Sequence, residues 1–158
     1  GGCSGSRDQH VAVPQERVKS QRTVKLSVTV GDRIPTWPHG PVTAERMALM
    51  AAILRDPNPI HFDPATRNDG ETNLRINQGP LNVGYIANML TNWAGPCSIK
   101  RLRVRFVANV FEGDHVEASG VVTAVTADGG ENFAECDVRL VRSDGDLLLT
   151  GTAVVRTS

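Results

Sequence analysis

Cysteine is scarce in this sequence, and its pattern excludes a disulfide scaffold. There are three cysteines, Cys3, Cys97 and Cys136, an odd number without the spacing of a metal site. Proteins that depend on disulfides carry more, so we expect free thiols in a reducing compartment and hence a cytoplasmic protein. No apolar run is long enough for a secretory signal or a membrane span.

The sequence also lacks net charge and has very little lysine. Its 17 basic and 17 acidic residues cancel at pH 7, and the pI is about 7.1. Proteins that bind nucleic acid or anionic membranes usually carry a basic surplus, so this balance argues against both partners. Only three basic residues are lysine. The arginine that makes up the rest is compatible with a small anionic ligand, because guanidinium groups bind phosphate and carboxylate well.

Several common catalytic signatures are missing, namely HExxH, GxSxG, the P-loop and GxGxxG. Their absence removes support for a zinc protease, an α/β-hydrolase, a nucleoside-triphosphate enzyme or a Rossmann protein. The 158 residues, 40% of them hydrophobic, suffice for one globular domain. Residues 1–22 are rich in glycine, serine and charge, so we expect a flexible arm there and one domain over residues 23–158.

The first half of the chain predicts one strand and two helices. Alternating apolar residues over 24–30 predict a strand, and the prolines and glycines of residues 31–42 predict a loop. Good helix formers over 44–54 follow Thr43, a suitable N-cap, and Pro57 should prevent the helix from continuing. A second helix should begin after Gly79, with Pro80 at its first helical position, and end near Gly95. Its apolar stripe contains Leu81, Tyr85, Ile86, Met89, Leu90 and Trp93.

The last third of the sequence predicts a meander of four antiparallel strands. They cover residues 98–110, 115–125, 133–141 and 147–155, and Asp-Gly turns separate the last three. The apolar stripe of the second helix needs covering, and a twisted sheet wrapped around that helix would cover it. We therefore expect an α+β fold with a single sheet.

The segment richest in chemical possibilities is Asp56-Pro57-Asn58-Pro59-Ile60-His61. Each proline fixes its own φ and favours extended geometry in the residue before it, so the segment forms a stiff turn. In such a turn Asp56 and His61 can converge on one point, and the Asn58 side chain can brace the backbone. The alternative is purely structural, with Asp56 capping a neighbouring helix. Asp63 fits a capping role in the same way.

This segment resembles the signature of the MaoC-like, or R-specific enoyl-CoA hydratase, family, in which an acidic residue precedes x-N-P-[small aliphatic]-H. Residues 77–81, Asn-Gln-Gly-Pro-Leu, are similar to the family's second landmark at the start of its central helix. The resemblance spans roughly residues 24–157 and implies the hot-dog fold. There are two departures. Leu54 and Arg55 stand where the family carries a small residue and glycine, and Gln78 stands where it often has histidine.

The resemblance implies a reaction and roles for the residues. The family adds water reversibly to trans-2-enoyl-CoA thioesters and forms (R)-3-hydroxyacyl-CoA. Asp56 and His61 would activate one water, and the Gly79 N–H would stabilise the thioester oxyanion. No metal or redox cofactor is implied, because coenzyme A enters as part of the substrate. The expected substrate contacts are Asn58, Gln78, Pro80 and Leu81.

Two alternatives remain open, together with the assembly. The chain could dehydrate acyl-carrier-protein thioesters, or it could be a subunit of a heteromeric hydratase, since residues 91–96 resemble a stretch of subunits that act on steroid side chains. Hot-dog proteins usually dimerise, so the resemblance implies a homodimer or a heteromer with another hot-dog subunit. The alternating Arg101, Arg103 and Arg105 are expected on a solvated strand face, with coenzyme A phosphates or a dimer partner as alternatives.

Overall fold

In the computed structural model, which describes residues 26–66 and 73–157, one sheet surrounds one long helix. The helices are α1 (Ala44–Leu54) and α2 (Gly79–Ala94), with short 3-10 turns at Pro59–His61 and Pro64–Thr66 between them. The strands are β1 (Arg33–His39), β2 (Ile99–Phe106), β3 (Val116–Asp128), β4 (Glu131–Arg142) and β5 (Leu147–Arg156). All pairings are antiparallel, in the order β1-β3-β4-β5-β2. The predicted α+β class is confirmed.

The core lies between α2 and the inner face of the sheet. Helix α2 contacts all five strands. It contributes Ile86, Met89 and Leu90, each at most 1% exposed. Alternate residues of β4 face this core, and all of them are buried: Ala134, Cys136, Val138 and Leu140. Burial raises the pKa of the Cys136 thiol to about 11, so it behaves as a small apolar core residue and not as a nucleophile.

The predicted four-strand meander is wrong in one respect. Strands β3, β4 and β5 follow one another as a meander, but β2 pairs with β5 at the far edge of the sheet. A connection of residues 107–115 carries the chain from β2 across to β3. The alternation of apolar and polar residues along a strand shows which residues face the core. It does not show which other strand pairs with it. Where β2 meets β5 the backbones lie close together, and a Cβ at Gly151 would collide with the Arg103 carbonyl oxygen.

The prediction of a strand over residues 24–30 is also wrong for the part that the structure describes. Residues 26–28 have no regular structure, and Thr29 and Asp32 close a turn through their side chains and backbone. The first strand is β1, inside the segment predicted as a loop. Prolines are tolerated there because β1 is an edge strand and its pairing with β3 is irregular between Ile34 and Trp37, where Pro35 lies.

Both helices are confirmed, and α1 has the predicted bounds. The Thr43 hydroxyl accepts a hydrogen bond from the Arg46 N–H at 3.4 Å, as expected of an N-cap. Helix α1 ends at Leu54 and is capped by Arg55, whose φ of 53° is in the left-handed region. Helix α2 begins at Gly79, one residue before the predicted start at Pro80, and Gly95 caps its C-terminus as expected. None of the described residues form a helix long and apolar enough to span a membrane. The predicted arm at residues 1–22 lies outside the described residues.

Candidate active site

The loop after α1 is stiffened by side chains as well as by its prolines. One carboxylate oxygen of Asp56 accepts a hydrogen bond from the Asn58 N–H at 3.1 Å, and the Asn58 side chain accepts one from the Ile60 N–H at 3.3 Å. These two Asx turns follow one another, with Pro59 opening a 3-10 turn that ends at His61. The predicted bracing role of Asn58 is therefore present.

The same loop brings the predicted acid and imidazole together. Nε2 of His61 lies 3.4 Å from Oδ2 of Asp56. His61 is only 7% exposed, whereas the Asp56 side chain is 33% exposed. The pair thus has one buried member and one member open to solvent. This is an arrangement that a small molecule can reach from outside.

A backbone carbonyl fixes the orientation of the imidazole. Nδ1 of His61 lies 2.7 Å from the carbonyl oxygen of Ile76, which can only accept a hydrogen bond, so Nδ1 carries the proton. The Ile76 N–H in turn donates to the Ile60 carbonyl at 3.1 Å. Ile76 therefore ties the loop of the pair to the segment that leads into α2. In the neutral ring Nε2 is left as an acceptor facing Asp56.

Gly79 follows this segment directly and is the first residue of α2. The Asn77 N–H donates to the Val110 carbonyl at 2.8 Å, which holds the segment against the connection after β2. As the first helical residue, Gly79 has an N–H with no acceptor inside its own helix, directed out of the helix N-terminus. That end of the helix also carries a partial positive charge. The role of this N–H towards a substrate, which the family resemblance implies, stays a prediction.

The four predicted substrate contacts differ in their surroundings. Asn58 and Pro80 are exposed, and Leu81 is half-buried. Gln78 is fully buried, and its amide nitrogen donates to the Met47 carbonyl at 2.8 Å, so it connects α2 to α1. The role of these residues towards a substrate stays a prediction.

A buried polar network beside Gly79 was missed by the sequence reasoning. The Asn77 side-chain amide donates to the Asn82 side chain at 2.7 Å and approaches the Tyr85 hydroxyl at 3.4 Å. Tyr85 stacks on His39 with ring centroids 4.4 Å apart, and Arg46 donates to Nε2 of His39 at 2.7 Å. Burial, and then the charge of Arg46, lower the pKa of His39. An asparagine at position 82 of an otherwise apolar stripe was the available signal.

Two further contacts support the loop from its other side. Arg75 donates to the Phe62 carbonyl at 2.8 Å and forms an ion pair of 2.6 Å with Glu112. The Asp63 carboxylate accepts from the Ala65 N–H at 3.0 Å, which agrees with its predicted capping role.

Within residues 26–66 and 73–157, no group of three or more histidine, cysteine or acidic side chains could hold a metal ion. The three β2 arginines are exposed and form no ion pair with another described residue: Arg101, Arg103 and Arg105.

The chain is similar in sequence and in structure to known proteins of one family. The sequence model of the MaoC like domain matches residues 12–140. An (R)-specific enoyl-CoA hydratase of Aeromonas caviae is 33% identical over 115 residues, which are 72% of this chain and 84% of that protein. The solved (R)-hydratase from A. caviae involved in PHA biosynthesis has a TM-score of 0.72 and 30% identity, over 82% of this chain and 96% of that one. A chain of the ChsH1-ChsH2 complex from Mycobacterium tuberculosis shares the fold, with a TM-score of 0.69 and 23% identity over 82% of this chain and 98% of that one. The chain belongs to the MaoC-like family of hydratases and dehydratases and has its hot-dog fold.

Proposed function

We propose that this protein adds water to trans-2-enoyl-CoA thioesters and releases (R)-3-hydroxyacyl-CoA, in a reversible reaction. The observation that carries the proposal is the pair formed by Asp56 and His61, 3.4 Å apart, with the imidazole oriented by the Ile76 carbonyl. Acid–base catalysis needs such an arrangement, because a proton is transferred efficiently only between groups held at fixed positions. The relationship to the A. caviae hydratase supports the same reaction.

The pair is suited to hold one water molecule. With its proton on Nδ1, the neutral imidazole presents Nε2 as an acceptor, and an ionised carboxylate is an acceptor as well. Two acceptors cannot hydrogen-bond to each other, and their separation of 3.4 Å exceeds the roughly 2.7–2.9 Å of a charged N–H···O bond. A water beside them can donate one hydrogen to each. We propose that this is the water that becomes activated.

The addition then requires three bonding changes. The water loses a proton to the pair while its oxygen bonds to C3 of the substrate. Electron density moves to the thioester oxygen, and C2 subsequently receives a proton as that density returns. Asp56 and His61 lie 3.4 Å apart and both face this water, so we assign the base and the acid to the pair as a whole.

The transient negative charge on the thioester oxygen needs a donor, and we assign this role to the Gly79 N–H. A fixed donor at an oxyanion contributes about 2.7–4 kcal/mol in other enzymes. The N-terminal end of α2 adds its own positive potential, because its first N–H groups have no acceptor within the helix. Gly79 precedes Pro80, which has no N–H, so the donor assigned here is one of few at this helix end.

The experiment is hydration of crotonyl-CoA and a panel of longer and branched enoyl-CoAs, followed by loss of the enoyl absorbance and chiral analysis of the product. We expect an (R)-configured product from the wild type and a drop in kcat of about 10²–10⁴-fold for Asp56→Asn. The matched control is Asp63→Asn, the same chemical change in the same loop, where the amide oxygen can still accept from the Ala65 N–H. Equal turnover by the wild type and Asp56→Asn would reject the proposal.

The carrier of the acyl group is the second point to decide. The exposed row of Arg101, Arg103 and Arg105 on β2 offers positive charge to the phosphates of coenzyme A or to an acidic carrier protein. We propose coenzyme A, and the alternative is a 3-hydroxyacyl-carrier-protein dehydratase. Measuring kcat/KM with the same acyl chain on both carriers separates the two. A preference for the carrier protein of about 100-fold or more would decide for the alternative.

The assembly is proposed as a homodimer. Strands β1 and β2 both lie at open edges of the sheet, and such edges are commonly covered by pairing across a two-fold axis. Light scattering of the purified protein tests this, and co-purification with a second small hot-dog subunit would point to a heteromer.

We propose a cytoplasmic location for the protein. The free thiols at Cys97 and Cys136 support it, because thiols stay reduced in that compartment.

A further inference from the structure

An aromatic side chain occupies the space beside the proposed oxyanion donor. A Cβ built on Gly79 would lie 3.1 Å from Cζ and 3.4 Å from Cε1 of Phe106, so the ring packs edge-on against the glycine. Phe106 is nevertheless 52% exposed, although it is among the largest apolar residues of the chain. One side of the ring therefore touches the helix start while the rest of it faces outward.

The backbone on both sides of this contact is fixed. Phe106 is the last residue of β2, and the next residue, Val107, donates its N–H to the Leu148 carbonyl at 2.9 Å. On the other side, the Asn77 N–H donates to the Val110 carbonyl at 2.8 Å just before Gly79. The backbone segments that carry the ring and the helix start are therefore both anchored by hydrogen bonds to neighbouring segments.

Gly79 is not glycine because of a positive φ. Its φ is not positive, whereas several other glycines of the described chain have positive φ. Two neighbours nevertheless crowd a side chain at this position. Pro80 disfavours helical geometry in a larger residue before it. Apart from the residues next to it in the sequence, the three atoms nearest to the built Cβ all belong to the Phe106 ring, so that ring must shift by a few tenths of an ångström to admit a methyl group.

We infer that Phe106 is a positioning residue of the proposed hydratase site, and this inference rests on the proposed function. Its ring flanks the Gly79 N–H, excludes water from one side of it, and uses its exposed part to contact the bound acyl thioester. In a helix the Cα–Cβ bond points outward and tilts toward the N-terminus, so a ring that touches the Cβ position of Gly79 lies near its N–H. A hydrogen bond to an oxyanion is stronger where water is excluded.

A double-mutant cycle with Gly79→Ala and Phe106→Leu tests this inference. Alanine keeps the N–H but pushes against the ring, and leucine lacks the Cζ and Cε atoms that the new Cβ would meet. We expect kcat/KM to fall about 100-fold for Gly79→Ala and about tenfold for Phe106→Leu, mainly in kcat. The double variant should match Phe106→Leu alone, so leucine raises the activity of Gly79→Ala about tenfold. Phe133→Leu in β4, with strand partners Thr126 and Arg156, is the control and should keep wild-type kinetics.

Three results would overturn the inference. The first is multiplication of the two single effects in the double variant, because the ring and the glycine would then act independently. The second is unchanged kcat and KM in Phe106→Leu. The third is a change of oligomeric state in Phe106→Leu, because a second copy would then cover the exposed ring. If the wild type hydrates none of the enoyl-CoAs, the proposed function fails by itself. In that case the unfolding temperatures of the wild type, the two single variants and the double variant decide. They show whether Phe106→Leu restores the stability that Gly79→Ala loses.

Discussion

Nδ1 of His61 lies 2.7 Å from the carbonyl oxygen of Ile76, and this single contact gives the two ring nitrogens different tasks. Nδ1 is used for orientation, and Nε2 is left for chemistry opposite Asp56. Replacement by asparagine separates these tasks, because its amide nitrogen can take the place of Nδ1 while nothing replaces Nε2.

His61→Asn should therefore stay folded and lose hydration activity by about 10²–10⁴-fold. His61→Ala should lose the same activity and, in addition, about 1 kcal/mol of unfolding free energy, because the partly buried Ile76 carbonyl loses its donor. Urea denaturation and crotonyl-CoA kinetics on both variants give the comparison. Equal stability of the two variants would show that the carbonyl contact contributes nothing to the fold.

Arg55 has a φ of 53° at the end of α1, at the position where the resemblance expects glycine. A left-handed conformation costs a non-glycine residue roughly 1–2 kcal/mol, part of which is offset by the greater entropy that glycine loses on folding. Arg55→Gly should raise the unfolding free energy by about 0.5–1 kcal/mol. Arg55→Ala removes the same charge and retains the Cβ, so it should bring no such gain. Chemical denaturation of the three proteins checks both expectations.

The Asn77 side chain donates to Asn82 at 2.7 Å inside the network beside Gly79, and both residues are at most 3% exposed. Asn77→Ala leaves the buried Asn82 oxygen without this donor and should cost about 1–3 kcal/mol of unfolding free energy. The control is Asn92→Ala, because Asn92 is exposed on α2, the helix that carries Asn82. Differential scanning calorimetry should show a clear drop in Tm for the first variant only.

Stability should fall in mildly acidic solution because of His39. Burial and the Arg46 charge lower its pKa from the ordinary 6.5, so the unfolded chain takes up a proton before the folded protein does. The unfolding free energy therefore decreases as the pH falls below about 6.5, until the folded-state pKa is passed. His39→Gln removes this group, and its difference in stability from the wild type should change between pH 7.5 and pH 5.5. A difference that stays constant with pH would contradict this explanation.

Local sequence patterns predicted the parts of the fold that local physics determines. Thr43 and the helix formers after it set the bounds of α1, and Gly79 with Pro80 set the start of α2. The convergence of Asp56 and His61 was predictable because two prolines stiffen the few residues between them. In each case the interacting groups are neighbours in the sequence.

The features that were missed depend on residues distant in the sequence. Strand β1 contains prolines that only an edge position tolerates, and the sequence does not show which strands lie at an edge. The place of β2 beside β5 depends on the path of the connection after Phe106. The carbonyl of Ile76 is a backbone group, which every residue has, so the sequence does not indicate its hydrogen bond to His61. The contact between Phe106 and Gly79 joins residues that no motif relates.

The hydrogen bonds between residues 60–61 and Ile76 hold both ends of the intervening stretch at once. The segment that carries the imidazole and the segment that leads to Gly79 therefore share one anchor. The spacing between the acid–base pair and the helix start is set by these bonds, so a change that breaks them should disturb both at once.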